Sequence, residues 1–320
     1  MSSQAPPVLP HCDATTTSDL EIDFVETLEH RRFVEFCNSC RRSKYIGLCY
    51  GPPGTGKTLS ARRYGRAELI RRRERWGYEP IYGLPLDTAF YTPDVMNTPA
   101  QILTDIQRSR SLLSHLARGP LYKQEEITLE TIRLRDEHYH RTHRNEPGYK
   151  PSEPSPLEPT FHQVAEEYAR KRRAIGDPTT LILIDEADRL RMHSIEQLRA
   201  IFDEGGFGLI FIGMPGIEKR MARYAQLYSR IGFVHEFRPL STNEMQSLLD
   251  RHWAPAGVIL PKQPLAEEAA AAIIRITGGN FRLLTRLLAQ IQRVLEINGM
   301  LLITKAVVDT ARESLVIGEA

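Results

Sequence analysis

The stretch Tyr45-Ile46-Gly47-Leu48-Cys49-Tyr50 followed by Gly51-Pro52-Pro53-Gly54-Thr55-Gly56-Lys57-Thr58 decides how the chain is read. The first six residues are a short apolar run without helical period, which predicts a strand covered on both faces. The next eight fit G-x-x-x-x-G-K-[ST] at every fixed position. Glycines let successive backbone N–H groups turn toward an anion without Cβ interference. The helix expected from Thr58 to Arg75 adds the positive end of its dipole. In that setting Gly51, Pro52, Pro53, Gly54, Thr55 and Gly56 form a phosphate cradle. Lys57 reaches the β- and γ-phosphates, and the Thr58 hydroxyl binds Mg2+.

Downstream, Leu181-Ile182-Leu183-Ile184 leads straight into Asp185-Glu186. An acidic pair after a buried strand lies at the carboxyl edge of a sheet, where ligands of open α/β sheets bind. Asp185 is expected to hold Mg2+, directly or through water, and Glu186 to polarise an attacking water. Further strands are expected at Ile81–Leu86, Leu209–Ile212 and Phe233–Phe237. Helices are expected at Asp23–Arg42, Thr98–Leu116, Phe161–Ile175, Ser194–Glu204 and Ile217–Leu227. Alternating strands and helices predict an α/β parallel sheet flanked by helices. After Pro239 only helices are expected, opened by the capping box Ser241-x-x-Glu244. The domain plan is therefore a polar, proline-bearing disordered arm over 1–22, an α/β domain over 23–239, and a small all-helical lid domain over 240–320. Within the α/β domain, about 119–160 reads as an exposed insertion. His138–Pro159 in particular reads as a loop, with five prolines between Pro147 and Pro159.

The loop GPPGTGKT (Gly51–Thr58), the strand LILIDEAD (Leu181–Asp188) and the helical C-terminal part together resemble a P-loop AAA+ ATPase over roughly residues 25–315. The resemblance implies ATP and Mg2+ as cofactors and ATP hydrolysis as the activity. It implies that Arg230, in YSRIGFVHEF, is an arginine finger reaching a neighbouring subunit. Arg282, in Gly278-Gly279-Asn280-Phe281-Arg282, would be a sensor arginine directed at the nucleotide. One element departs from the family pattern. Where a polar residue is expected after the strand LIFIG, the chain has Gly213-Met214, neither with a strong hydrogen-bonding side chain. Slow or partner-stimulated turnover follows as the expectation.

The order of these motifs, with FIGMPG (Phe211–Gly216) and ARYAQLYSRIGFVHEF (Ala222–Phe237), resembles the transposition regulators TniB, TnsC and MuB, near ExeA-type and Orc/Cdc6-type ATPases. That branch implies an ATP-dependent homo-oligomer, ring or filament, on double-stranded DNA, with a transposase as partner. The alternative is an ExeA-like or defence-type signalling and assembly ATPase acting on protein partners without DNA.

Charge bears on that choice. The formal net charge is only +2, but between Arg41 and Arg75 there are eleven Lys and Arg against two Asp and Glu. Four of these fall in Arg71–Arg75, the cluster Arg170–Arg173 adds to them, and Arg108, Arg110 and Arg118 sit in a stretch without an acid. Non-specific DNA binders need such groups for phosphates, although basic runs at helix C-termini also simply complement the helix dipole. By resemblance, Arg108, Arg110 and Arg118 are the candidate DNA contacts. No apolar run of transmembrane length occurs. The first twenty residues lack a basic start followed by an apolar core, so a cytoplasmic protein is expected. Four cysteines are too few for a disulfide framework. Cys37-x-x-Cys40 has no second pair, although His138, His140 and His143 lie in one polar stretch.

Overall fold

The computed structural model describes residues 24–76, 86–150, 155–262 and 265–315. The chain divides into two compact units. One spans residues 32–238, and the other is formed by the chain from Pro239 onward with the segment before Arg32. In order along the chain the first elements are α1 (Leu28–Ser43), β1 (Ile46–Tyr50), α2 (Lys57–Tyr64), α3 (Ala67–Trp76), β2 (Thr88–Tyr91), α4 (Pro99–Thr142) and α5 (Phe161–Ala174). Then come β3 (Leu181–Ile184), α6 (Met192–Asp203), β4 (Gly208–Gly213), α7 (Ile217–Met221), α8 (Ala225–Tyr228) and β5 (Ile231–Glu236). The helical unit adds α9 (Thr242–Asp250), α10 (Glu267–Thr277), α11 (Phe281–Asn298) and α12 (Lys305–Glu313).

The five strands form one sheet in the order β2-β3-β4-β1-β5, with every pairing parallel. Why the central strands are apolar throughout follows from what covers them. Alternate residues of β1, β3 and β4 serve two separate cores, as the period of two requires. Ile46, Leu48, Ile182, Ile184, Leu209 and Phe211 pack with Ile102, Ile106, Ile195 and Leu198 from α4 and α6. On the opposite face Cys49, Leu181, Leu183, Ile210 and Ile212 meet Phe33, Phe36, Cys37 and Cys40 of α1 and Ala61 of α2. Gly47 has to be glycine there: a Cβ would lie 2.5 Å from Cys40 Sγ and 2.7 Å from Phe36 Cζ. The burial that seats Cys37 and Cys40 also pushes both thiols up, Cys40 to about 12, so they serve as small apolar groups.

Two expectations of strand and helix position need adjusting. The strand beside β3 is β2 at Thr88–Tyr91, whereas Ile81–Pro85 lies outside the described residues, as does the arm over 1–22. The helix after the glycine loop breaks at Gly65–Arg66, where Arg66 adopts a φ of 52°, giving α2 and α3.

The larger difference concerns 119–160. The sequence assigns no element over 119–137, and α4 continues through it to Thr142 and pairs with α5 as a helical hairpin. Among the described residues of the expected loop His138–Pro159, only 138–142 are helical. Ile132, Val164 and Tyr168 form its seam with Leu121 and Leu129. Outside that narrow seam the helix is held by pairs at helical spacing, Lys123–Glu126, Glu130–Arg133 and Arg133–Glu137. Pro120 lies within it and has no N–H to offer the carbonyl of Leu116. The proline-rich composition that suggested a loop begins only at Pro147, past the helix end.

In the helical unit, Leu284, Leu287, Leu288 and Ile291 of α11 pack with Ile273 of α10 and Val308 of α12. Both ends of the turn into α11 are specified. Gly278 closes α10 in the left-handed region, and the Asn280 side chain accepts from the Leu283 N–H.

His235 on the edge strand β5 is stacked on Phe36 with centroids 5.4 Å apart. Burial, with Arg32 and Arg238 nearby, lowers its pKa from 6.5 to about 4. The unfolded chain therefore binds a proton there that the folded chain refuses, and stability is lost as pH falls from 6.5 toward about 4. We expect the melting temperature of the wild type to drop between pH 7 and pH 5, and the His235→Phe variant to lose much of that slope. Parallel melting curves for the two proteins across this range would contradict it.

Candidate functional site

The site grows from the carboxyl ends of β1 and β3. β1 delivers the chain into the turn Gly51–Gly56, and α2 starts at Lys57. Gly54 and Gly56 take φ values of 78° and 107°, the left-handed region that only glycine enters without strain. Gly51 is demanded by a close approach: a Cβ there would stand 2.1 Å from the backbone oxygen of Phe237, at the end of β5. The Phe237 N–H in turn donates to Tyr50 O at 2.7 Å. Thr55 is buried and its hydroxyl donates to Pro52 O at 3.0 Å. The Lys57 ammonium is folded back into the turn, donating to Gly51 O at 2.6 Å and Pro52 O at 2.7 Å. A cation is thus already held at the centre of the cradle.

β3 brings Asp185 and Glu186 to the same edge. Asp185 is 3% exposed. Burial raises its pKa, opposed by hydrogen bonds from the Thr58 side chain and the Glu186 N–H and by the charge of Arg62. Thr58, half-buried, and the buried Asp185, distant in sequence, are therefore joined as a pair of oxygen donors. That donor set fits a divalent hard cation such as Mg2+. Glu186 differs from its neighbour. Its backbone is left-handed, φ 51° and ψ 42°, its carboxylate is exposed, and it forms an ion pair with Arg189. Arg189 also donates to Pro93 O at 3.1 Å. The turn that carries it is pinned by Asn97, buried, which donates to Asp94 O and Arg189 O and accepts from the Ser194 hydroxyl.

Sequence reasoning missed Asp188. At the end of β4, where Gly213-Met214 lacks a polar side chain, the Asp188 carboxylate accepts from the Met214 N–H at 2.8 Å. A Cβ on Gly213 would lie 2.7 Å from that same oxygen. The polar group at this strand end thus comes from the turn after β3, and Gly213 makes room for it. The signal available in the sequence was the third acid of DEAD, beside a glycine where a side chain was expected.

The remaining predicted residues are placed as follows. Arg230 follows α8, its guanidinium gripping Asp203 through two bonds of 2.6 and 3.0 Å. Asp203 is also held by Arg199 at 2.5 Å. Arg282 is exposed in the first turn of α11, in the helical unit. Arg110 pairs with Asp177 at 2.7 Å and lies over the Phe207 ring, 5.0 Å from its centroid. Arg118 donates to Ile175 O at 3.1 Å. These two arginines brace the segment between α5 and β3. Arg108 lies on the same helix. Among the described residues no cluster of three or more His, Cys, Asp or Glu is arranged to hold a metal ion, and no helix is long and apolar enough to cross a membrane.

Residues 40–221 match the AAA domain family. A Potential ATP-binding protein of Staphylococcus aureus is 40% identical over 299 residues, covering 92% of this chain and 97% of that one. The Mu-like prophage FluMu DNA transposition protein B of Haemophilus influenzae is 29% identical over 123 residues, 36% of this chain and 40% of that protein. Among solved structures, the Aeropyrum pernix ORC2 protein superposes with a TM-score of 0.52 at 13% identity, over 93% of this chain and 71% of its own. A mutant RuvB of Thermotoga maritima superposes at 0.50 and 13% identity, over 92% of this chain and 71% of its own. At such identities the likeness is one of fold.

Gly51→Ala is expected to cost about 2 kcal/mol in denaturant unfolding, because the new methyl meets a backbone oxygen that has no free direction to move. Gly148→Ala, at a φ of 86° with open space around it, is expected to cost only about 1 kcal/mol. Equal costs would show that the close approach to Phe237 does not constrain the cradle.

Proposed function

We propose that this chain, which belongs to the AAA domain family, is a Mg-ATP-dependent ATPase that oligomerises on duplex DNA and recruits or activates a transposase. The observation that carries the nucleotide part is the hydrogen-bonded pair of Thr58 and the buried Asp185 beside a lysine-centred glycine turn. The stretch similar to a DNA transposition protein supports the transposition part.

In this reading the backbone N–H groups of Gly51–Thr58 hold the phosphates. Lys57 exchanges its two carbonyl partners for β- and γ-phosphate oxygens, which is why a cation rests there beforehand. Thr58 and Asp185 are the protein ligands for Mg2+, which supplies charge neutralisation at the β- and γ-phosphate oxygens. Asp185 must be ionised to serve, so its upward shift is offset by the cation. Glu186 positions the attacking water after its carboxylate leaves Arg189. That pairing favours slow or partner-stimulated hydrolysis. Arg230 acts on the nucleotide of a neighbouring subunit, which requires release from Asp203. Arg282 is the sensor arginine of the helical unit. Arg108, Arg110 and Arg118 remain the DNA candidates, with the bonds to Asp177 and Ile175 O limiting what Arg110 and Arg118 can offer.

Binding to a short fluorescent duplex of arbitrary sequence, followed by anisotropy, tests this. We expect binding with Mg-ATP, loss without nucleotide, and a steep fall in affinity between about 50 and 200 mM salt. Binding indifferent to nucleotide, or none at low salt, would favour a protein-directed assembly ATPase. Glu186→Gln should keep nucleotide binding and lower turnover by roughly 100-fold or more. Unchanged turnover would remove Glu186 from the chemistry.

A further inference from the structure

The helical hairpin ends in a small, well-bonded knuckle whose composition differs from the rest of the arm. Its cationic groups are not those the sequence suggested for nucleic acid. Over residues 138–150 the chain carries Arg141, Arg144 and Lys150 with three histidines, against the lone carboxylate of Glu146. Two successive turns fold back over the end of α4, with Glu146 N–H donating to His143 O at 3.0 Å and Tyr149 N–H to Glu146 O at 3.2 Å. His140 Nδ1 and the Tyr149 hydroxyl lie 2.8 Å apart and fasten the second turn to the helix. The Tyr139 and His143 rings are stacked, centroids 4.2 Å apart. Rigid aromatic packing thus holds up a set of exposed cations. Arg141 and Arg144 are exposed and form no ion pair among the described residues.

Contrast this with the rest of the same arm. Arg133 is held by Glu130 and Glu137, Arg135 by Asp136 and the carbonyls of Leu157 and Pro159, Arg172 by Glu125, and Lys171 by Glu167. Further down, Arg110 and Arg118 are bonded to Asp177 and Ile175 O. Along α4, then, Arg110, Arg118, Arg133 and Arg135 are bonded locally, whereas Arg141 and Arg144 at the tip are in no ion pair among the described residues. On α5, Arg170 and Arg173, near the opposite end of the hairpin, are likewise exposed and outside any ion pair among the described residues. At 1.5 Å per residue the tip stands about 40 Å beyond Leu116, the last α4 residue in the main core. The helix dipole accounts for a cation in the last turn such as Arg141. It does not account for Arg144, which lies past the helix.

We propose that the knuckle His138–Lys150 is a nucleic-acid contact, with Arg141 and Arg144 on backbone phosphates of a duplex. The inference rests on the DNA reading above and relocates the contact from the middle of α4 to its far end. Exposed guanidinium groups on a braced tip fit phosphate binding without sequence preference.

The test uses the full chain with Mg-ATP and a short fluorescent duplex over a series of salt concentrations. Each lost phosphate contact lowers the slope of log affinity against log salt by about 0.9. The Arg141→Ala/Arg144→Ala variant is expected to lose about two from that slope and at least about tenfold in affinity near 100 mM salt. Arg144→Ala alone lies outside the helix and should remove about half the change, and the double Arg→Lys variant should keep the slope. Wild-type affinity and slope in the double alanine variant would overturn this inference while leaving the DNA reading intact. No duplex binding by the wild type would overturn both. Binding of the wild type to polyglutamate as tightly as to duplex would also overturn it, in favour of an acidic protein partner.

Discussion

A hydrogen bond between the Thr58 side chain and Asp185 ties the first residues of α2 to the end of β3. Everything chemical in the chain is arranged around it. The buried carboxylate is disfavoured by its surroundings, and it is offset only by a hydroxyl, one backbone N–H and the more distant charge of Arg62. A buried acid at this cost is not explained by packing, since an apolar residue would serve β3 better. On the proposed reading, a divalent cation joining the pair would account for it. The neighbouring turn makes the same point for an anion, because its glycines clear the space and its lysine rests on carbonyl oxygens that phosphate oxygens can replace.

A second theme is the occupation of arginines by this chain's own acids. Arg189 holds Glu186, and Arg230 grips Asp203 with both arms of its guanidinium. The Arg230–Asp203 pair is bidentate, which is geometrically specific, and Arg189 meets Glu186 through one ion-pair contact. A subunit interface or a DNA surface that offers either partner a better alternative shifts the balance toward the working state. On the ATPase reading proposed above, these pairings keep Glu186 and Arg230 occupied in the free chain.

Much of the fold was legible because the signals were local. The run Leu181–Ile184 and the turn Gly51–Thr58 each carry their own explanation, in two-faced burial and in positive φ. The helical character of the C-terminal unit was readable from Ser241 and Glu244, whose reciprocal bonds form the expected cap. What escaped was set by contacts across the chain. β2 is a strand through its pairing with β3, since Thr88–Tyr91 is too short to announce itself. The hairpin was hidden because its seam uses few apolar residues and its length is held by charged pairs. The contact of Asp188 with the end of β4 was invisible, because it depends on Gly213 being brought opposite to it. The bonds of Arg110 and Arg118 likewise follow from the position of the α5–β3 segment, which no pattern within α4 records.

The most direct test is calorimetric titration of Mg-ATP into the wild type, Thr58→Val and Lys57→Ala. The account predicts a saturable exothermic binding in the wild type that weakens sharply when Mg2+ is chelated. It predicts that Thr58→Val loses the Mg2+ dependence and that Lys57→Ala loses the binding itself. Identical isotherms for all three proteins, with or without Mg2+, would contradict it.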